Sequence, residues 1–390
     1  MGQSKNSINL KELGEFYSNP NSSGFQKSRL FLSYQHQIGI IKGRDSVKKS
    51  FDDEFEEFRR FWMGLTGQFG DYYKFKVVSQ LSNDRNNYPA TSGGAYRQWG
   101  HETFRAANIT FNAGKLWNLK SVDSLEIGYG RRTGRMADEW QRSSTLINCL
   151  ERSSLANKLW LYDKEKGNPL ATWVKWKSGN HSFDTALFSG TYDDYIGGWK
   201  DSKVYYASWL GDFSEQTTAD MLEFWISYYK QSSSSNEDRL AGGNDWAISF
   251  VNRWRKGNLS VHSTLAFGDN GDQSNTDREG SFGGFIIMPM FWLKEDKLKL
   301  VGRYVYQEAT ESEGLKLNSR YAPLADIRDP SIDLNNGRGD QHQAVYIGLN
   351  YYFADENLKL VSGVQYDTLN SSGLNQYRGW TAGTSFRIWF

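Results

Sequence analysis

Basic and apolar side chains alternate in several segments of this chain of 390 residues. The segment KLKLVGRY, residues 297–304, shows the pattern clearly. Successive side chains of a β-strand point to opposite faces, so an extended segment of this kind carries its cations on one face and apolar side chains on the other. A row of ammonium and guanidinium groups suits the binding of anions, because guanidinium can hold an oxyanion through two parallel hydrogen bonds.

The alternation assigns a set of basic side chains to one strand face. If the strands cross a membrane, these cations must face the interior, because Lys or Arg on the lipid face costs about 2–4 kcal/mol at the bilayer midplane. Inward acids are fewer, and Glu126 is the clearest. A lumen walled in this way favours anions; alternatively, the same residues only hydrate the lumen, pair with acids of inward-folded loops or decorate a rim. The predicted pore-lining residues are Arg60, Lys74, Lys76, Lys175, Lys177, Arg253, Arg255, Lys299, Arg303, Lys359 and Arg387.

Other chemistry is not indicated by the sequence. The five histidines are scattered without metal-ligand spacing, and neither a phosphate-cradling glycine motif nor a G-x-S-x-G elbow is present. His262 shares a strand face with Ser260 and Thr264, which is closer to a polar lumen wall than to a catalytic triad. A net charge of +1 argues against nucleic acid as a partner, and the single Cys149 excludes an internal disulfide. We therefore expect no enzymatic activity, no metal and no cofactor.

The elements that position the cations are predicted to be transmembrane strands. The mean hydropathy is −0.67, and no apolar run approaches the roughly 20 residues of a spanning helix. Aromatic residues make up 15% of the chain, as two interfacial belts would require. The final residues GWTAGTSFRIWF alternate up to Phe390, which is typical of the closing strand of an outer-membrane barrel.

Segments of about ten residues recur between alternately tight and long connections. Tight turns are expected at 70–71, 256–258, 295–296 and 355–356, and long polar loops at 82–102, 191–202, 231–243, 269–281 and 310–342. The fold class is therefore an all-β, up-and-down antiparallel transmembrane barrel of about sixteen strands, with 14 or 18 as alternatives. The predicted strands are 29–41, 55–69, 72–82, 103–112, 123–131, 170–177, 181–190, 203–211, 219–230, 244–255, 259–268, 282–293, 297–309, 343–353, 357–369 and 377–390.

Two segments do not follow this strand rhythm. Residues 1–24 are polar and predict a flexible tail before a single barrel of residues 25–390. They contain no apolar stretch typical of a signal peptide, so we expect the numbering to start at a mature or re-engineered N-terminus. Residues 132–168 predict an insert that folds inward and narrows the lumen; an external loop with a short helix is the alternative. The residues predicted to form the constriction are Arg131, Arg132, Arg135, Arg142 and Arg152. If they pair with Asp138, Glu139 and Glu151, they are scaffolding instead.

Several segments resemble the phosphate-selective porin O and P family. RRFWMGLTG (59–67) followed by GDYYKFK (70–76) is similar to its early hairpin, and LEIGYG (125–130) to the strand before its pore insert. ERSSLAN (151–157) resembles a segment within that insert and is the most specific match. AVYIGLNYYF (344–353) and the closing strand resemble its terminal hairpins. The resemblance runs in order from about residue 55 to 390, but RRTGRM (131–136) stands where a Pro-containing stretch is expected.

The resemblance implies a sixteen-stranded, homotrimeric, anion-preferring porin in the bacterial outer membrane. The sequence as a whole thus predicts a water-filled channel, embedded in outer-membrane lipid, for passive diffusion of small hydrophilic solutes. Anions, with phosphate among them, are the preferred solutes. The alternative is a plugged barrel that acts as a protein-binding or adhesion scaffold, for which the polar residues 310–342 would serve.

Overall fold

A computed structural model describes residues 10–83, 98–141, 145–161, 168–189, 202–233, 244–271, 275–317, 329 and 331–390. Sixteen antiparallel strands form one closed sheet, in which each strand pairs with its neighbours in sequence and the last pairs with the first. The predicted all-β barrel of sixteen strands is confirmed. The strands are β1 (Phe25–Arg44), β2 (Ser50–Phe69), β3 (Tyr73–Asn83), β4 (Gln98–Asn112), β5 (Ser124–Arg131), β6 (Leu170–Ser178), β7 (His181–Ser189), β8 (Ser202–Asp212), β9 (Met221–Ser233), β10 (Trp246–Lys256), β11 (Leu259–Asp269), β12 (Ser281–Lys294), β13 (Leu298–Ala309), β14 (Gln341–Ala354), β15 (Leu358–Ser371) and β16 (Leu374–Trp389).

The two faces of the sheet differ in the way that the alternation predicts. Along β14, buried and exposed side chains alternate almost without interruption from Gln341 to Phe353. Large apolar side chains point outward around the barrel, among them Ile226, Leu300 and Ile347, and each is more than a third exposed. An outward apolar surface of this kind is what lipid requires. Within the described residues, no helix is long and apolar enough to cross a membrane.

The two ends of the barrel also differ. At the end near Phe390, tight turns join β2 to β3, β6 to β7, β10 to β11, β12 to β13 and β14 to β15. Several of these turns contain a residue in the left-handed backbone region, such as Gly257 (φ 55°), Asp296 (φ 55°) and Asp355 (φ 47°). Most connections at the other end are long, although those after β1 and β15 are short. Short turns mark the periplasmic side of such barrels, so the opposite end is extracellular.

The remaining elements are short. Residues 1–9 of the predicted tail lie outside the described residues, and Glu15–Ser18 pairs with β1. A two-residue ladder joins Leu315–Lys316 to Arg338–Gly339. The division into a tail and a barrel stays a prediction. The helices are α1 (Leu10–Leu13), α2 (Ala113–Leu116), α3 (Asp138–Gln141) and α4 (Ser154–Lys158), with 3₁₀ turns at Ser214–Gln216, Thr276–Arg278 and Asn335–Gly337.

Candidate functional site: the barrel lumen

The segment between β5 and β6 is here called the insert (132–168), and its described residues 132–141 and 145–161 lie inside the barrel. Its apolar side chains Met136, Leu155 and Leu159 are fully buried. They belong to one cluster with inward-facing side chains of the wall, including Phe188 and Val305. Apolar contact with wall strands from β6 to β14 holds the insert against one side of the lumen.

Buried ion pairs join the insert to inward-facing arginines. Asp138 accepts a hydrogen bond from Arg253 and contacts His262 at 3.1 Å, and Glu139 accepts one from Arg303. The Arg303 guanidinium also donates to the backbone carbonyl of Glu151 at 2.8 Å. Removing one partner of such a pair is costly because the other charge stays buried.

A β-bulge places two arginines at the third acid of the insert. In the pairing of β1 with β2, Gln35 lies opposite Arg60 and the next residue, His36, lies opposite Phe58. Arg59 is therefore the extra, unpaired residue of the bulge. Both guanidinium groups reach Glu151, with Arg59 Nη2 at 3.0 Å and Arg60 Nη2 at 3.8 Å from its Oε2. The alternation assigned Arg60 inward but missed Arg59, because a bulge sets two consecutive residues on one side.

The extended part of the insert is held through its backbone carbonyls. Arg387 donates to the carbonyl of Ile147 at 2.8 Å, of Cys149 at 2.9 Å and of Leu150 at 2.8 Å. Lys359 donates to the carbonyl of Ile147 at 3.5 Å and to a carboxylate oxygen of Glu356 at 2.7 Å, and Lys359 and Arg387 are at most 1% exposed. These cations therefore serve the packing of the insert and do not reach an aqueous path. We call Arg60, Arg253, Arg303, Lys359 and Arg387 the clamped wall.

A chain of polar side chains fixes α4 to the wall. Ser154 Oγ lies 2.9 Å from His342 Nδ1, and His342 Nε2 lies 3.0 Å from Asp367 Oδ1. Gln307 also donates to Ser154 Oγ at 2.6 Å, and His342 is 2% exposed. A serine enclosed and shared in this way attaches the helix and offers no access to a substrate. Sequence reasoning missed the chain because its members come from distant segments that only the closed barrel brings together.

A second group of predicted cations remains accessible. The side chains of Lys74 and Lys175 are 53% and 41% exposed, and Lys76 and Lys177 are exposed as well. All four point inward from β3 and β6 and rise from the periplasmic turns towards the insert. We call them the open wall. Two acids lie among them, since Glu126 contacts Lys74 at 3.0 Å and Asp184 lies 3.7 Å from Lys175.

Among the described residues of the insert, Arg135 is an accessible arginine next to the open wall. Arg135 is exposed to water although the barrel surrounds it, and its charge acts on both Lys76 and Lys175. Desolvation by the surrounding barrel lowers the pKa of Arg135, and the neighbouring Arg132 lowers it further. Arg132 itself holds Asp184 through two hydrogen bonds of 2.9 and 2.5 Å. Cations thus outnumber acids along this side of the lumen.

The other constriction candidates lie elsewhere. Arg131 donates to the carbonyl of Asn168 at 3.2 Å, and Arg142 lies outside the described residues. Arg152 is buried with its guanidinium 3.6 Å from the centre of the Trp140 ring, and it donates to the carbonyl of Glu139 at 2.8 Å. Burial lowers the pKa of Arg152 to about 9, an effect that Glu139 and Glu151 oppose. Arg152 is thus held within the insert and Arg132 is bound to Asp184 of the wall, and a scaffolding role for either stays a prediction.

Two predicted pore-lining residues lie near the periplasmic rim. Lys299 lies 4.1 Å from the centre of the Trp292 ring and 3.7 Å from Glu356. Arg255 is exposed at the end of β10, next to the turn into β11. A role for either residue, or for the open wall, in conduction stays a prediction. Among the described residues, no group of histidine, cysteine and acidic side chains could hold a metal ion.

Known outer-membrane channels share the fold. The structure of OprB from Pseudomonas putida matches with a TM-score of 0.58 at 10% identity, over 94% of each chain. An anion-selective porin from Comamonas acidovorans matches with a TM-score of 0.56 at 9% identity, over 93% of this chain and 99% of that chain. The channel DcaP of Acinetobacter baumannii matches with a TM-score of 0.54 at 11% identity, over 96% of this chain and 100% of that chain. The sequence matches no protein-family model and no curated protein.

At these identities the similarity establishes the fold alone. A closed barrel with an apolar outer surface is the architecture of outer-membrane proteins, and the predicted location in the bacterial outer membrane is confirmed. The narrower resemblance to the phosphate-selective family stays a prediction.

Proposed function

We propose that this protein is an outer-membrane porin through which small hydrophilic solutes diffuse passively, with anions preferred. The observation that carries the proposal is the open wall, whose four lysines are accessible on the side of the lumen that faces the insert. Fixed cations in a confined aqueous path raise the local concentration of anions. Weak, successive contacts let an anion enter and leave, as conduction requires.

The distribution of acids supports the sign of this selectivity. Asp138 and Glu139 of the insert are each bound to a buried arginine, and Glu151 is bound to the partly buried Arg59. The two acids on the open side, Glu126 and Asp184, are bound to Lys74 and to Arg132. These five acids are therefore neutralised locally, and the lysines of the open wall leave an accessible excess of positive charge.

Phosphate is a narrower proposal within the same site. Inorganic phosphate would contact the ammonium groups of Lys76 and Lys175 together with the guanidinium of Arg135, which offer hydrogen-bond donors to its oxygens. Arg152, which lies in the segment most similar to the phosphate-selective family, is enclosed beneath Trp140 and takes no part. The proposed assembly is a homotrimer embedded in outer-membrane lipid.

The experiment is single-channel recording of the purified protein in a planar lipid bilayer. We expect steady open-channel steps. In a KCl gradient, the reversal potential should lie towards the equilibrium potential of chloride. Addition of phosphate should reduce the chloride current if phosphate binds in the lumen. Steady current with cation selectivity would contradict the anion preference, whereas absence of any current would favour the plugged barrel that serves as a binding scaffold.

A further inference from the structure

A group of cations lies on the outer surface of the barrel at the extracellular ends of β1 and β16. Lys42, Arg44 and Arg378 are all exposed, and their neighbours Ile41 and Tyr377 are buried on the inner face. Arg378 lies directly opposite Arg44 in the ladder. Like charges in directly opposed positions destabilise a strand pair. None of the three cations forms an ion pair with another described residue.

The cations border a recess of about 440 Å³. Its lining includes the aromatic rings of Tyr366 and Trp380, which lie opposite one another on β15 and β16. Tyrosine and tryptophan concentrate where the membrane meets water, so this recess lies at headgroup level in the outer leaflet. One carboxylate, Asp52, lines the recess opposite Lys42, which leaves an excess of positive charge near Arg44 and Arg378.

An apolar groove of about 1020 Å³ continues below the recess on the same strands. It begins two residues further along each strand, at Ile40, Val364 and Ala382, which is about 7 Å towards the membrane centre. Ile347 and Leu349 form its far side. On the near side, β2 contributes Glu54 and Glu56, so that edge of the groove carries negative charge and the positive charge lies at the other end, around Arg44 and Arg378.

We propose that this surface binds a phosphorylated lipid of the outer leaflet. The headgroup phosphate lies between Arg44 and Arg378, and the acyl chains lie in the groove. An amphiphile is the class of ligand that contacts both the cations and the groove, because a free anion contacts the cations alone.

The test is native mass spectrometry of the full chain in a neutral detergent, with diphosphoryl lipid A as the probe. The variants are Arg378→Gln and Arg44→Gln/Arg378→Gln. Lys230→Gln is the matched control, because Lys230 is an exposed cation at the extracellular end of β9 between Tyr205 and Trp246, and it does not line the groove. A basic residue near a lipid surface contributes about 1 kcal/mol, so the double variant should bind roughly 30-fold more weakly and the control as tightly as the wild type.

Further arms of the experiment identify the ligand chemistry. Removing the phosphates from the probe should weaken binding to the wild type by a similar factor, and millimolar inorganic phosphate should not displace the lipid. Displacement by inorganic phosphate alone would show a simple anion site and overturn the proposal. Unchanged lipid binding in the double variant would also overturn the proposal. If the double variant loses an oligomer and keeps the lipid, the proposal is overturned and the surface is a contact between copies.

Discussion

The clamped wall and the open wall carry the same residue types with the same period but differ in what they contact. Arg253, Arg303 and Arg387 of the clamped wall lie beneath the insert and are bound to its carboxylates or carbonyls. Lys76 and Lys177 of the open wall face water. Strand alternation decides which face a side chain occupies, whereas the path of the insert decides whether a solute can reach it. We therefore propose that the clamped wall determines the shape of the lumen and that the open wall determines its charge.

The largest expected difference between the walls is in stability. Arg303→Met leaves Glu139 buried beside an apolar side chain, and we expect a loss of about 3–5 kcal/mol in the free energy of unfolding. Lys76→Met on the open wall removes an accessible cation and should change stability by no more than about 0.5 kcal/mol. Equilibrium unfolding in guanidinium chloride, with refolding to establish reversibility, measures both. Equal losses in the two variants would mean that the walls do not differ in this way.

The second difference concerns selectivity. The double variant Lys76→Glu/Lys175→Glu reverses two charges of the open wall. In a KCl gradient, it should move the reversal potential away from the equilibrium potential of chloride and towards that of potassium. Lys359→Gln on the clamped wall serves as the control, because this buried side chain is expected to leave selectivity unchanged. If the reversal potential of Lys359→Gln shifts as much as that of the double variant, the conducting path runs along the clamped wall and not along the open wall.

How far the sequence predicts the structure depends on whether a feature is local. The sixteen strands and the outward position of Leu300 and Ile347 follow from the two-residue period and from lipid as the outer solvent. The inward position of Arg59 does not, because the bulge at Arg60 interrupts the period. The burial of Arg152 beneath Trp140 and the contact of Ser154 with His342 depend on the path of the insert, which no local pattern encodes.

A smaller effect concerns the pH dependence of insert docking. Burial lowers the pKa of Lys158 on α4 to about 7, with a further contribution from Arg338 and an opposing one from Asp269. Between pH 7 and the usual lysine pKa near 10.5, the unfolded chain binds more protons, so stability should rise with pH in that window. Lys158→Met should flatten this rise, as measured by thermal unfolding at pH 7 and pH 10. An equally steep rise in the variant would assign the pH dependence to another group.

Cysteine labelling tests the division of the lumen most directly. The single native cysteine, Cys149, is 1% exposed and should give no background. Lys76→Cys reports the open wall, and Ser249→Cys reports a fully buried position whose hydroxyl donates to the Met136 carbonyl of the insert. With an anionic, water-soluble thiol reagent applied to the folded protein in a bilayer, we predict rapid labelling and reduced conductance for Lys76→Cys and no reaction for Ser249→Cys. Equal labelling of the two positions, or an unreactive Lys76→Cys, would contradict an aqueous path along the open wall beside a firmly docked insert.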